Sequence, residues 1–299
     1  MTRYKETGNR DTDAVLRGIN EIDGRMLINR QMRLSEIHEL VTAVAAESQS
    51  SEAAIARLEA IRPTRCRDNT VSALERVALC REYLKIYPGT PGFQRELFFG
   101  SFETLSKSEE NTVAYIENTY TEEAFKRFSK ALGTAVPIRV TSFDELCEAV
   151  YSGSSEFGII PIENAENGKL ARFYSLINKY DLKIASVLSI SSSDSSSETG
   201  FALIRKNIDY PKLKLGNPDF FEMFVMLNDT ETFSEILAAA EFCRMSLYRI
   251  DTFPISHQGG RFTLCPVFKT EHSDIDSFLL YMALDFPRYT PIGIYSQLN

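Results

Sequence analysis

Apolar side chains recur at threes, fours and sevens over residues 11–47, at Val15, Ile19, Ile22, Met26, Ile37, Leu40 and Val44, with Arg33 set in the same stripe. That is one face of a 3.6-residue period, and it predicts a single long helix. The serine-rich stretch Glu47–Glu52 interrupts the pattern. A second helix is predicted over Ser51–Ile61, with Ile55, Leu58 and Ile61 on one face and Arg62-Pro63 as its stop. A third, capped by Asp68 or Asn69, carries Val71, Leu74, Val77, Ala78, Cys80 and Leu84 as far as Tyr87-Pro88-Gly89. Residues 1–87 therefore read as an all-α unit. Its first helix is too long to bury its stripe against two short neighbours, and pairing with a second copy is the natural solution.

Residues 88–110 hold the Pro and Gly of a linker, and the pattern then changes. Strands are predicted at Thr112–Ile116, Pro137–Thr141, Glu156–Ile162, Leu182–Ile190 and Phe201–Arg205. Helices are predicted between them at Thr121–Leu132, Phe143–Tyr151 and Leu170–Lys179. The apolar run Glu156–Ile162 suits a buried parallel strand, and the alternation suits an α/β layer. Residues 189–197 include seven serines and read as a loop. After a second linker from Asn207 to Asp219, the order strand, helix, strand, strand, helix, strand is predicted for the rest of the chain. That is the ferredoxin-like arrangement.

Length and charge narrow the function classes. A chain of 299 residues is expected to hold two or three domains. Its formal charge of −8 argues against a nucleic-acid partner, which needs a basic face. No apolar run is long enough for a membrane span, and the polar start does not resemble a signal peptide. The five cysteines are odd in number, scattered and without a CxxC, as expected of reduced cytoplasmic thiols. Three dispersed histidines do not make a metal site, and no cofactor is expected.

Three strings carry a family resemblance: Gly158-Ile-Ile-Pro-Ile-Glu-Asn164 with Gly168, Thr112-Val-Ala-Tyr-Ile followed by Thr119-Tyr-Thr-Glu-Glu-Ala124, and Glu198-Thr199-Gly200-Phe201. Together they resemble prephenate dehydratase, with its "P-I-E-N" and "T-R-F" motifs. The helical segment before them resembles the intertwined three-helix chorismate mutase, and the segment after resembles the ACT regulatory domain. This is the order of the bifunctional P-protein of phenylalanine synthesis. The implied fold class is an α + α/β + α+β multidomain chain. It comprises a chorismate-mutase-like helical unit at 1–87, a linker at 88–110, a single dehydratase-like (periplasmic-binding-like) α/β lobe at 111–206 and a ferredoxin-like ACT domain at 212–299.

The resemblance also implies site residues. Mutase chemistry stabilises charge developing on an ether oxygen and needs several cations around a dianion. Arg33 falls on one arginine position of that family, whereas its lysine falls on Val44 and its "D-x-x-R-E" motif is absent. A snorkelling arginine at a helix interface accounts for Arg33 equally well. Dehydration of prephenate needs a proton donor at the departing hydroxyl and groups that hold two carboxylates. Thr199 matches the family's catalytic threonine, Gly200 stands where its arginine would be, and Glu163 and Asn164 match "P-I-E-N". A strand-start threonine and a strand-end turn are the plain structural readings of the same residues. In the ACT-like segment, Glu231, Thr232, Asp251, Thr252, Phe253 and Pro254 stand at the implied effector-binding turns. A dimerisation module without ligand is the alternative there.

Length then weighs on activity. The 34 residues from Ala165 to Glu198 take a helix and two strands, about 24 residues, and little else. A second lobe requires at least about 50 more. The chain is therefore expected to keep the plan of a phenylalanine-branch enzyme with reduced or lost activity. The alternative is a non-catalytic dimeric sensor of an aromatic amino acid or prephenate-like ligand. Partners expected are a second copy, through the first helix, the ACT-like segment or both, with no nucleic acid and no membrane.

Overall fold

The computed structural model describes residues 12–50, 53–54, 56–57, 69–87, 111–164, 168–191, 198–207, 219–226, 233–254, 262–286 and 289–298. The chain divides into two compact units, Met1–Pro88 and Gly89–Asn299. In the first, α1 (Thr12–Glu47) and α2 (Asn69–Ile86) pack together through the buried Val41 and Val44 of one helix and Val77, Cys80 and Tyr83 of the other. His38 Nδ1 lies 2.7 Å from Glu82 Oε2 across the pair. Ile22, Ile28 and Met32 on the earlier part of α1 are exposed within the chain. Of the expected second helix, Ala53, Ala54, Ala56 and Arg57 are helical, and the rest lies outside the described residues. No helix among the described residues is long and apolar enough to cross a membrane.

The second unit is built on β1 (Asn111–Ile116), α3 (Thr119–Leu132), β2 (Ala135–Val140), α4 (Phe143–Ser152), β3 (Phe157–Asn164), β4 (Gly168–Lys169), α5 (Ala171–Tyr180), β5 (Lys183–Ser191) and β6 (Glu198–Arg205). It continues with β7 (Phe220–Val225), α6 (Phe233–Phe242), β8 (Ser246–Pro254), β9 (Phe262–Lys269), α7 (Ile275–Asp285) and β10 (Tyr289–Leu298). The ten described strands form one sheet in the order β2-β1-β3-β6-β5-β10-β7-β9-β8, with β4 appended to β3. The segments on either side of residues 208–218 thus share a sheet. They are joined by the parallel pair β5–β10, where Gly293 comes so close to β5 that an added Cβ would stand 2.6 Å from the Ile184 carbonyl oxygen.

Period-two alternation assigns the two sheet faces. Ile160, Ile162, Ile184, Ala202, Ile204, Phe224, Cys265 and Tyr295 share one core with Leu146, Cys147 and Val150 of α4 and Phe173, Tyr174 and Ile177 of α5. On the opposite face, Val113, Tyr115, Phe157, Ile159, Leu188 and Leu203 pack on Ala124 and Phe128 of α3. Phe221 and Phe268 meet Phe278 of α7, with ring centroids 6.1 and 5.7 Å apart.

Local chemistry explains the ends of these elements. Asn118 caps α3 by accepting from the backbone N–H groups of Tyr120 and Thr121 at 3.0 Å each, and Thr121 Oγ1 returns by accepting from Asn118 N–H. This is a reciprocal capping box. Ser142 caps α4, and Gly153 ends it in the left-handed region at φ 79°.

Two local expectations are corrected. The apolar run Glu156–Ile162 predicts a parallel strand, but β3 is parallel to β1 on one side and antiparallel to β6 on the other. A strand buried on both faces has the same apolar signature in either sense. The serine stretch predicts a loop from residue 189, but β5 runs through Ser191, with Ser189 opposite Gly200 and Ile190 opposite Thr199. The single apolar side chain there, Ile190, is buried and holds the strand end in place.

Candidate functional site

The strand carrying Gly158–Asn164 ends beside the strand that starts at Glu198. Glu163 pairs with Gly200 and Asn164 with Thr199. This register brings the catalytic residues expected in this unit, Glu163, Asn164 and Thr199, to one sheet end. Thr199 is half-buried there. The Asn164 side chain lies outside the described residues. Arg33 is on α1 in the other unit, and its side chain also lies outside the described residues. Among the expected effector residues, Glu231 and Thr232 lie outside the described residues, whereas Asp251, Thr252, Phe253 and Pro254 are on β8.

Gly200 has a specific steric role. A Cβ there would stand 2.7 Å from Glu163 Cγ and 3.1 Å from Glu163 Oε1. The Glu163 side chain therefore lies across the bare backbone of Gly200. It is met by a residue distant in sequence, Arg249 of β8, with Nη1 3.5 Å from Glu163 Oε2. Arg249 Nε is 3.1 Å from Asp251 Oδ2. Alternation places Arg249, Asp251 and Phe253 on one side of β8, and Phe253 packs on Tyr174 with ring centroids 4.5 Å apart. Asp251 thus joins the Glu163 cluster through Arg249.

A carboxylate is buried close by. Glu222 of β7 has no exposed surface. It accepts hydrogen bonds from the Tyr174 and Tyr295 hydroxyls, each at 2.7 Å, and from the Cys265 thiol at 3.3 Å. A buried carboxylate requires such donors. Burial pushes both tyrosines well above their ordinary pKa, and the adjacent Glu222 charge pushes the same way. Burial opposes the Arg249 charge, but Asp251, Tyr174, Glu163 and Glu222 outweigh it and raise the guanidinium pKa.

Glu163, Arg249 and Tyr295 border an open cleft of about 100 Å³. Its wall includes Glu163 and Gly200 from β3 and β6, Ser189 from β5, Tyr248 and Arg249 from β8, and Gln297 from β10. Among the described residues, Arg249 is the one cation of that lining. A second cavity of about 220 Å³ is almost entirely apolar and runs between Phe143, Ile160, Pro161, Leu170 and Phe173, with Arg172 at its edge.

Residues 114–208 match the family model of prephenate dehydratase. This segment is prephenate dehydratase-like. Among solved structures, the prephenate dehydratase of Streptococcus mutans aligns with 63% of this chain and 99% of its own, at 16% identity and a TM-score of 0.52. The Arthrobacter aurescens prephenate dehydratase, solved in complex with L-Phe, aligns over 62% and 90% at 14% identity and a TM-score of 0.49. The Staphylococcus aureus prephenate dehydratase aligns over 62% and 99% at 13% identity and a TM-score of 0.46. At 16% identity, the likeness to the S. mutans structure is one of fold. No curated protein matches the chain.

Within the dehydratase-like segment, the cleft acquires a wall that the local motifs do not announce. Arg249 and Tyr248 are supplied from β8, beyond the matched residues. Sequence reasoning missed Arg249, Tyr174, Glu222 and Tyr295. For Glu222 a signal was present, a lone charge inside the apolar run Phe220–Val225. For Arg249 there was none, because its partner Glu163 is 86 positions away.

Proposed function

We propose that this chain is a prephenate-dehydratase-related protein of the chorismate–prephenate branch of phenylalanine synthesis in which dehydration is weakened or lost. The observation that carries the reading is the Glu163 side chain lying across Gly200. Where the resembling motif places an arginine, this protein has Gly200, so that cation is missing and the Glu163 side chain, a match to "P-I-E-N", lies over the vacated position. Prephenate is a dianion, so its binding needs a surplus of positive charge. A substrate carboxylate 4 Å from Glu163 meets a repulsion of about 4 kcal/mol at a surface-type dielectric. Arg249 offsets one such term, but it already faces both Glu163 and Asp251. The sheet supports the same reading. Every described strand from β1 onward belongs to it, and β5 and β6 are adjacent antiparallel strands joined by only the residues 192–197. No second lobe stands between Asn164 and Thr199 among the described residues to close the cleft and exclude water.

The N-terminal helices fit a chorismate-mutase-like role as a dimerising unit, with the exposed Ile22, Ile28 and Met32 of α1 against a second copy in the cytoplasm. The C-terminal β-α-β-β-α-β segment fits an ACT-type role. Arg249 and Tyr248 of β8 in the cleft wall favour a second reading, a non-catalytic sensor whose ligand is read by both parts of the sheet. Purified protein assayed on chorismate and on prephenate, beside a genuine P-protein, tests the first reading. The expected result is turnover of neither substrate at the control's rate. Control-like turnover of prephenate would remove the claim that dehydration is lost.

A further inference from the structure

We propose that the cleft bordered by Glu163, Gly200 and Arg249 binds a small α-amino acid as its zwitterion, the ligand carboxylate on Arg249 and the ligand ammonium on Glu163. The proposal rests on the reading that this face is kept for binding rather than for dehydration, and it names the chemistry of the ligand.

The argument starts from the state of the ion pair. Glu163 and Arg249 are 3.5 Å apart, and their side chains are 41% and 36% exposed. That distance is beyond a good charge-assisted hydrogen bond, at about 2.7–2.9 Å. The pair is therefore loose, and a ligand ion can take either partner from solvent. Arg249 carries five N–H donors. Its Nε lies 3.1 Å from Asp251 Oδ2 as an ion pair with no hydrogen bond between the two atoms, and its Nη1 makes the long contact with Glu163. Asp251 holds the guanidinium by charge, and Arg249 lines the cleft. Glu163 Oε1, above Gly200, has no hydrogen-bond partner among the described residues. A cation and an anion thus stand side by side, each with unused capacity.

Other ligand classes fit this arrangement less well. A dianion needs a second cation, and among the described residues the cleft lining contains Arg249 alone. A simple amine would satisfy Glu163 but bring no acceptor to Arg249. A ligand carrying both charges satisfies both. The volume of about 100 Å³ limits it to a small molecule. Phe220 and Tyr248, with ring centroids 5.2 Å apart, offer an apolar surface to its side chain. Gly200 is essential to the geometry, because a Cβ there would displace Glu163.

Isothermal titration calorimetry on the full chain tests this with four probes: L-alanine, L-alaninamide, propionate and succinate. L-Alanine is expected to bind at least about tenfold more tightly than the other three, a difference of about 1.4 kcal/mol. Arg249→Gln is expected to make L-alanine no better than L-alaninamide, and Glu163→Gln to make it no better than propionate. These opposite crossovers report charge recognition and would not arise from a general loss of structure. Arg249→Lys keeps the charge and is expected to retain the preference for L-alanine over L-alaninamide, which guards against a variant that fails to fold. Tighter binding of succinate than of L-alanine, or L-alanine binding that neither neutralising variant changes, would overturn the proposal. So would no binding of L-alanine at millimolar concentration. Prephenate turnover is measured on the same preparation. Turnover with L-alanine binding intact would overturn the lost-dehydration reading alone, and neither turnover nor binding would overturn this proposal alone.

Discussion

The Tyr174 hydroxyl donates a 2.7 Å hydrogen bond to Glu222, although the two residues are 48 positions apart and both are buried. Tyr174 is on α5 of the dehydratase-like segment, and Glu222 is on β7 beyond it. This contact and its counterpart from Tyr295 tie α5, β7 and β10 together inside one core. Removing one donor leaves a buried charge less satisfied. Tyr174→Phe is expected to lower unfolding stability by about 1–3 kcal/mol. Denaturant unfolding followed by circular dichroism measures this, and a loss no larger than that of an exposed Tyr→Phe substitution such as Tyr120→Phe would count against the network.

The same network fixes a response to alkali. Among the described residues, Tyr174, Tyr289 and Tyr295 have pKa values raised, first by burial, above the ordinary value of 10.0. In the unfolded chain these hydroxyls ionise near that ordinary value, while in the folded chain they stay neutral. Unfolding is therefore coupled to proton release, and stability falls as pH rises above about 10. Spectrophotometric titration is expected to show the phenolates of Tyr174, Tyr289 and Tyr295 forming only as the fold is lost. Smooth ionisation of all tyrosines with the fold intact would contradict the burial argument.

Gly293 is placed at a backbone crossing rather than beside a movable side chain. Its absent Cβ would stand 2.6 Å from the Ile184 carbonyl oxygen. Gly293→Ala is expected to cost about 1–3 kcal/mol by overpacking. Because the strain falls on the β5–β10 pair, hydrogen exchange at β10 should accelerate more than at β1.

Acid acts on the helical unit. Burial pushes the Glu82 carboxyl up, but hydrogen bonds and charge from Lys85 and His38 outweigh it, and its folded pKa is lowered below 4.5. A carboxyl lowered on folding contributes stability above its unfolded pKa and loses it as pH falls through the folded value. Its partners are well exposed, at 57% for His38 and 61% for Lys85, so the contribution is below about 1 kcal/mol. Glu82→Gln is expected to lower the Tm at pH 6–7 and to leave it unchanged below about pH 3. A Tm difference that persists in strong acid would assign the effect to packing instead.

Periodic elements were legible in the sequence because their signal is local. The long first helix and the buried Val44 of its 3.6-residue stripe depend on residues a few positions apart, although Leu40 of that stripe is exposed and its neighbour Val41 is buried instead. The order of elements after Asp219 was legible for the same reason. The cleft was legible on one side only. Glu163 and Thr199 stand on strands whose ends carry recognisable strings, but Arg249 sits in a strand read simply as alternating. Its role exists only because β10 pairs with β5 and carries β7, β9 and β8 alongside. Such pairings depend on register between distant segments, and period-two alternation does not encode a partner. The mixed sense of β3 was hidden likewise, since burial on both faces erases the difference between parallel and antiparallel neighbours.

The position of β10 has a consequence for synthesis. It is the latest strand of the sheet in the sequence, yet it lies in the interior, between β5 and β7. As the chain leaves the ribosome, β2-β1-β3-β6-β5 can assemble early, and β7-β9-β8 afterwards, but each keeps an unpaired edge until residues 289–298 emerge. During that interval β5 and β7 present open backbone groups to any neighbouring chain, so the docking of β10 is also the step that removes the hazard of strand exchange between nascent copies.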